Sequence, residues 1–347
     1  MSRVGGVTNT PAAQTPRPLP PQGGILLIDK AEGWTSHDVV AKARRALGTR
    51  KVGHAGTLDP MATGLLVLGA GPATRLLTHL VGLDKTYTTT IRLGVSTVTD
   101  DREGEILAVA RPADVEALAD EPQRIADAVA VLTGDIEQAP SAVSAIKVDG
   151  RRAYDRVRAG EQVELKKRPV RIEAFEIEQP RVVSAVRLAG GETPVDVIDI
   201  DATVRCSSGT YIRALARDLG EALGVGGHLV ALRRTEVGPF SVAGATSTER
   251  LAGGEPGELL APAEVATGLF PELRLTERQT VDLGHGKRLE LGADEHPDAK
   301  LAAAVAPDGR LIGLVEVKRG RTRVVTNFPT PDAGTSDAAA PAGSVAP

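Results

Sequence analysis

Gly53-His54-Ala55-Gly56-Thr57-Leu58-Asp59-Pro60-Met61-Ala62-Thr63-Gly64-Leu65-Leu66 holds one imidazole, one carboxylate, three glycines and a proline within fourteen residues. A basic segment precedes it and an apolar run follows. Gly53 and Gly56 open backbone conformations that other residues avoid. Pro60 biases Asp59 away from helical geometry, toward an extended or turn conformation. The carboxylate is therefore presented on a stiff loop just before a segment that can anchor it in a core. An isolated Asp-Pro would be read as a turn or a helix cap. A solvated turn has no need for this much backbone control.

Outward from this loop, composition sets the bounds. The 347 residues allow one large domain and a small one, and 41% hydrophobic with 25% charged residues is ordinary for a globular protein. No apolar run approaches the ~20 residues of a membrane span. Met1 to Gln22 is rich in Pro, Thr and Ala and lacks the apolar core of a signal peptide. The single cysteine, Cys206, excludes an intrachain disulfide framework and a cysteine-rich metal centre. These features point to the cytoplasm.

A net charge of −4 argues at first sight against a nucleic-acid partner. Its distribution reverses that. From Lys42 to Leu58 there are five basic residues and no acidic one, and from Lys147 to Arg171 nine basic against four acidic. From Asp100 to Glu137 the balance is eleven acidic against three basic. Such segregation suits a polyanion footprint on one face and a solvating acidic face elsewhere. The three tyrosines, Tyr87, Tyr154 and Tyr211, are few enough to be placed where a hydroxyl or a stacking ring is needed.

Residues 1–22 and 331–347 read as disordered tails. Gly24 to Asp29 reads as a strand, followed by a turn at Gly33-Trp34-Thr35-Ser36 and a helix over about 38–47, capped by Thr35 or Ser36 and ended by Gly48. Thr86 to Leu93 and Val195 to Cys206 read as strands, and Ile212 to Gly224 as an amphipathic helix. Asp114 to Leu132 is helical in pattern, with a break at Pro122. Residues 251–270 read as a linker. Short strands and turns over 271–330 predict a small β-rich domain, with Lys318, Arg319, Arg321 and Arg323 on one strand-like segment. Val67 to Thr74 mimics a dinucleotide-binding turn, but the third glycine is Thr74 and no βαβ unit or downstream acidic residue completes the pattern.

The opening stretch resembles the catalytic-aspartate loop of the bacterial tRNA pseudouridine-55 synthases, the TruB family, whose pattern is G-H-x-G-T-L-D-P-x-A-x-G-L-L; every fixed position is filled. Further blocks follow in family order. Gly24 to Lys30 with Gly33 to Ser36 resembles the opening strand and turn, and Lys85-Thr86-Tyr87 the K-x-Y motif. Gln138-Ala139-Pro140, Ser144 to Lys147 and Gly150 to Tyr154 resemble a substrate-contacting insertion, with Ala-Pro-Ser where the family often has Pro-Pro. Gly209-Thr210-Tyr211-Ile212-Arg213 and Leu232-Arg233-Arg234-Thr235 match its G-T-Y-I-R and L-R-R-T motifs.

The resemblance implies a mixed α/β catalytic domain over 23–250, built on a largely antiparallel central sheet with the insertion at about 138–160, and a small PUA-like β-rich RNA-binding domain over 271–330. It implies isomerisation of uridine-55 in the T-loop of tRNA by a monomer without metal or cofactor. Asp59 would act as nucleophile or as stabiliser of charge at the ribose. Arg213 would keep Asp59 ionised and oriented. Tyr87 would stack on the flipped uracil and serve as a base toward the sugar. His54 would fill the vacated space or stack on neighbouring bases. Tyr211 and Leu232 would line the pocket, with Lys30 among the substrate contacts. Lys147, Arg151, Arg152, Arg156 and Arg158 would meet the tRNA backbone. The C-terminal domain is expected to be an auxiliary unit whose removal spares the chemistry. Two other readings use the same residues: a guide-RNA-dependent pseudouridine synthase and a non-catalytic RNA-folding helper. The insertion favours an enzyme that holds its own substrate.

Overall fold

The computed structural model describes residues 19–139, 147–148, 151–152, 167–188, 193–292 and 297–328. An eleven-stranded mixed sheet carries the larger part of the chain. Strand β1 (Gly24–Lys30) leads into helix α1 (Ser36–Ala46), whose N-cap Thr35 exchanges hydrogen bonds with Asp38 in a capping box. Strands β2 (Val52–His54) and β3 (Thr63–Ala70) flank the glycine-rich loop, and a short helix, α2 (Leu77–Leu80), follows β3. Next come β4 (Lys85–Leu93), the hairpin of β5 (Val95–Thr97) and β6 (Ile106–Val109), α3 (Pro112–Ala119) and α4 (Pro122–Val131). The expected break at Pro122 is where one helix ends and the next begins.

Strand β7 (Gly134–Gln138) precedes a two-stranded ribbon, β8 (Lys147–Val148) and β9 (Arg151–Arg152). In that ribbon Lys147 lies opposite Arg152. Tyr154, Arg156 and Arg158 lie outside the described residues. Strands β10 (Arg168–Ile177), β11 (Arg181–Val186) and β12 (Val195–Cys206), helix α5 (Ile212–Leu223) and strand β13 (Gly227–Val237) complete the centre. Strands β14 (Phe240–Ser241) and β15 (Thr246–Ser247) and helices α6 (Thr248–Ala252) and α7 (Pro262–Thr267) lead out of it.

The strand order is β15-β1-β3-β13-β4-β12-β10-β7, with β2, β14 and β11 pairing on β3, β13 and β12. Only β15 on β1 and β13 on β3 pair in parallel. The parallel β3–β13 contact spans just Thr63–Gly64 against Arg233–Arg234. There the two halves of the sheet part, and the Asp59 loop sits at the parting.

Both faces of β1 and β3 are covered, which explains their unbroken apolar runs. Leu26, Ile28, Leu66 and Leu68 join the core beneath α1 and α5. Ile25, Leu65 and Val67 face a second core shared with Val305, Leu311, Leu314 and Phe328 of the C-terminal segment. That segment forms a four-stranded sheet of β16 (Glu272–Arg274), β17 (Ala299–Val305), β18 (Leu311–Lys318) and β19 (Arg321–Asn327), with helix α8 (Glu277–Gly284) inserted after β16.

Four features depart from the sequence reading, each because a tertiary contact overrides local composition. Residues 262–267 form a helix that buries Val265 and Ala266, so the expected linker is partly core. Gln22 is not tail: its side-chain amide exchanges hydrogen bonds with the backbone of Leu311 (2.7 and 3.1 Å). Lys318 and Arg319 end one strand and make a turn, while Arg321 and Arg323 stand on the next and pair with Glu290 and Glu316. Finally, Asp100 and Asp101 are buried, not part of a solvating acidic face.

Candidate active site

The loop that carries Asp59 is bolted from several sides. Leu58 and Met61, on either side of Asp59-Pro60, are buried in the main core. The Ser36 hydroxyl accepts from Leu58 N (2.9 Å) and donates to Leu58 O (3.1 Å), so α1 holds the residue before the carboxylate. Gly33 N donates to Pro60 O (2.9 Å), and Ala62 N closes a turn on Asp59 O (3.1 Å). Gly64 is obligatory: its φ is 98°, and a Cβ there would lie 2.2 Å from Arg234 O. Gly56, with φ 95°, lies over the side chains of Arg234 and Lys85.

Arg213 reaches this loop from the first turn of α5. Its Nε lies 3.1 Å from Asp59 Oδ2 and its Nη1 lies 3.1 Å from Asp101 Oδ2. Nη1 also donates to Thr99 O (2.7 Å). The Arg213 side chain is 9% exposed and that of Asp59 41%, so the guanidinium is fixed in protein while the carboxylate stays open to a substrate. Arg217, one turn further along α5, pairs with Asp100 (3.1 Å), where φ is 58°. The helix entry is held by Gln138, whose amide donates to Tyr211 O (2.9 Å) and accepts from Tyr211 N (2.8 Å).

Tyr87 lies on the buried face of β4, on the strand next to Arg234. Burial raises its phenol above the usual range, while the charge of Arg234 and a hydrogen bond from it pull the other way. The phenol is therefore neutral at neutral pH. His54 ends β2 and meets His37 edge-on, with ring centroids 6.0 Å apart. Burial, then the charges of His37 and Arg234, lower its pKa, so the imidazole is neutral as well.

Lys30 sits under the loop. It is fully buried, and its ammonium donates to the carbonyls of Ala31 (3.0 Å), Trp34 (2.7 Å) and Pro60 (3.2 Å). Burial lowers it to about 8, against the pull of Asp59 upward. Lys85 is similar: it donates to Val81 O and Leu83 O, and burial followed by the Arg234 charge brings it to about 8. With Arg234 they are three buried cations beside the carboxylate loop: Lys30 and Arg234 hold carbonyls of the loop, and Lys85, next to Gly56, holds those of the turn before β4.

A cleft of about 410 Å³ opens beside the loop. Met61, Thr63, Leu232 and Arg233 line it together with Thr90 and Asp201, and the Arg102–Glu32 ion pair lies in its wall. Asp59 and Tyr87 are not in its lining; Met61 and Leu232, their buried neighbours, join the two. Sequence reasoning assigned no role to Asp101 or Arg217; it read Ser36 as a possible helix cap and Gln138 as part of the substrate-contacting insertion, whereas Ser36 holds Leu58 and Gln138 holds the entry of α5. Asp101 was lost among eleven acidic residues, and nothing local separates a buried aspartate from a solvated one.

A mixed sheet that parts around one open carboxylate, clamped by a buried arginine beside a buried phenol, is the arrangement that the resemblance to pseudouridine synthases implied. Family profiles agree: that of the TruB family pseudouridylate synthase N-terminal domain matches residues 44–212. The tRNA pseudouridylate synthase B C-terminal domain matches 213–255, and the tRNA pseudouridine synthase II C-terminal domain matches 270–329. The chain is 57% identical to tRNA pseudouridine synthase B of Leifsonia xyli over 307 residues, covering 88% of this chain and 96% of that one. It is 54% identical to the protein of the same name from an Arthrobacter species, over 88% and 96% of the two chains. Among solved structures, an H/ACA RNP bound to a substrate RNA containing 2'-deoxyuridine superposes with a TM-score of 0.61 over 93% of each chain. At 21% identity that likeness is one of fold. The protein belongs to the TruB family.

Proposed function

We propose that the protein converts uridine-55 in the T-loop of tRNA to pseudouridine as a cytoplasmic monomer. The observation that carries the reading is the Arg213–Asp59 contact, which aims a half-exposed carboxylate from a buried anchor. The reaction breaks the N1–C1' glycosidic bond, turns the uracil, and joins C5 to C1'. The C5 proton is lost and N1 gains one, so atoms balance within the base.

Asp59 supplies negative charge at the ribose as C1' loses its base. The electron pair of the broken bond leaves with the uracil as negative charge, and the buried cations Lys30, Lys85 and Arg234 set a positive potential beside the loop that offsets it. Tyr87 offers a ring for the flipped base to stack on, worth roughly 1–3 kcal/mol. His54 and Tyr211 frame the same loop and helix entry. The ribbon of Lys147, Arg151 and Arg152 and the exposed Lys318–Arg319 turn contribute phosphate contacts outside the cleft.

Purified protein incubated with unmodified tRNA transcript and no additive, followed by chemical mapping of pseudouridine, tests the reading. A single new pseudouridine at position 55 is expected. Modification only in the presence of a guide RNA, or none at all, overturns it.

A further inference from the structure

Arg234 heads the largest fully buried side chains among the described residues, at 1% exposure, and no carboxylate pairs with it there. Its guanidinium donates Nε to Leu65 O (2.7 Å), Nη2 to Gly56 O (3.0 Å) and Nη1 to Thr57 O (3.4 Å). These carbonyls bracket Asp59 on both sides. Arg234 is also the residue of β13 that lies opposite Gly64 of β3 and Tyr87 of β4. One side chain thus stands between the strand that follows the aspartate and the strand that bears the tyrosine, where the sheet parts.

We infer that Arg234 is a positioning residue of the reaction, locking the Asp59 loop to the strand that bears Tyr87 and placing its charge beside the phenol. A brace for three carbonyls needs only neutral donors, and burying a cation without a carboxylate partner is costly. The charge has a use if negative charge develops nearby, on the departing uracil or on the phenol oxygen. Arg234 lies opposite Tyr87 across the paired strands, so its charge bears on the phenol oxygen. This inference rests on the proposed role of Tyr87 at the target base.

Two variants of the full chain separate the parts: Arg234→Met keeps volume and removes charge and fork, and Arg234→Lys keeps only charge. With ¹³Cζ-labelled tyrosine, the Tyr87 resonance, assigned by its loss in Tyr87→Phe, should titrate at higher pH in Arg234→Met than in the wild type. Single-turnover rates at saturating tRNA should fall about tenfold or more in both variants while tRNA affinity stays within about twofold. In the Tyr87→Phe background the further loss from Arg234→Met should be much smaller, because neighbours acting through one another are not additive. An unchanged Tyr87 titration in Arg234→Met overturns the link. So does a wild-type rate in Arg234→Lys, which also decides the matter if Arg234→Met does not fold. A wild-type rate in Tyr87→Phe alone would instead fell the reading of Tyr87, leaving the titration to judge Arg234.

Discussion

Asp59 and Asp101 share one guanidinium: Arg213 lies 3.1 Å from a carboxylate oxygen of each. Asp101 is buried, at 4% exposure, and also accepts from Thr99 Oγ1 and Glu103 N (3.0 Å). It is the fixed end of the chain of contacts, and Asp59 the working end.

Asp59→Asn should abolish pseudouridine formation with tRNA affinity and melting temperature close to wild type. Size and hydrogen bonding persist, and only the charge is lost. Single-turnover rates should drop by at least about a hundredfold, about 2.7 kcal/mol of barrier. Residual turnover above that level would remove Asp59 from the chemistry.

Asp101→Asn should slow the chemical step by about ten- to a hundredfold without weakening tRNA binding, because Arg213 loses the group that aims it. A gain in KM with kcat unchanged would show that Asp101 serves binding instead.

Tyr87→Phe retains the ring, while Tyr87→Leu loses it. If the hydroxyl handles a proton, both variants turn over slowly, and Tyr87→Leu carries an additional deficit of roughly 1–3 kcal/mol from stacking. Near-wild-type rates in both would make Tyr87 a core residue.

Lys85 provides a test by linkage. Burial lowers its pKa from 10.5 to about 8, so the folded protein binds this proton more weakly than the unfolded chain. Its protonation therefore costs stability below about pH 8, and the cost fades as pH rises from 8 toward 10.5. In urea titrations from pH 7 to 10, the stability of Lys85→Met relative to wild type should decline as pH rises. A difference independent of pH would show that Lys85 is not a buried ammonium.

Deleting 271–347 should not leave a working catalytic domain, contrary to the expectation from sequence. Leu65, Val67, Leu76 and Leu80 would lose the cover of Val305, Leu311, Leu314 and Phe328. The truncated chain is expected to aggregate or melt without cooperativity; a soluble, active fragment would refute the shared core. RNA contacts of this segment are better tested by Lys318→Ala and Arg319→Ala, each of which should lower the log–log salt slope of tRNA binding by just under one unit.

Much of the site was legible because its residues act through local chemistry. The run from Gly53 to Leu66 specified a stiff loop with a carboxylate just before an apolar segment that can anchor it; the structure buries Met61 and Leu66 after it and adds Leu58 as an anchor before it. Alternating strands and amphipathic helices announced β4, β12 and α5 within a residue or two. The expected Arg213–Asp59 pair forms although 154 positions separate the two residues, because the resemblance supplied what spacing could not.

Sequence by itself determined several of the elements, the loop and the carboxylate, since backbone preference and hydrophobic period are properties of neighbouring residues. Only the tertiary structure decided which charges are buried. Lys30 was expected at the substrate and lies under the loop; Asp101 looked like surface and fixes the arginine; Arg234 was one letter of a motif and spans two strands. A charge becomes buried or exposed according to what folds over it from elsewhere in the chain. That cover is set by the long-range pairing of β3, β13 and β4 and by the C-terminal sheet packed behind them.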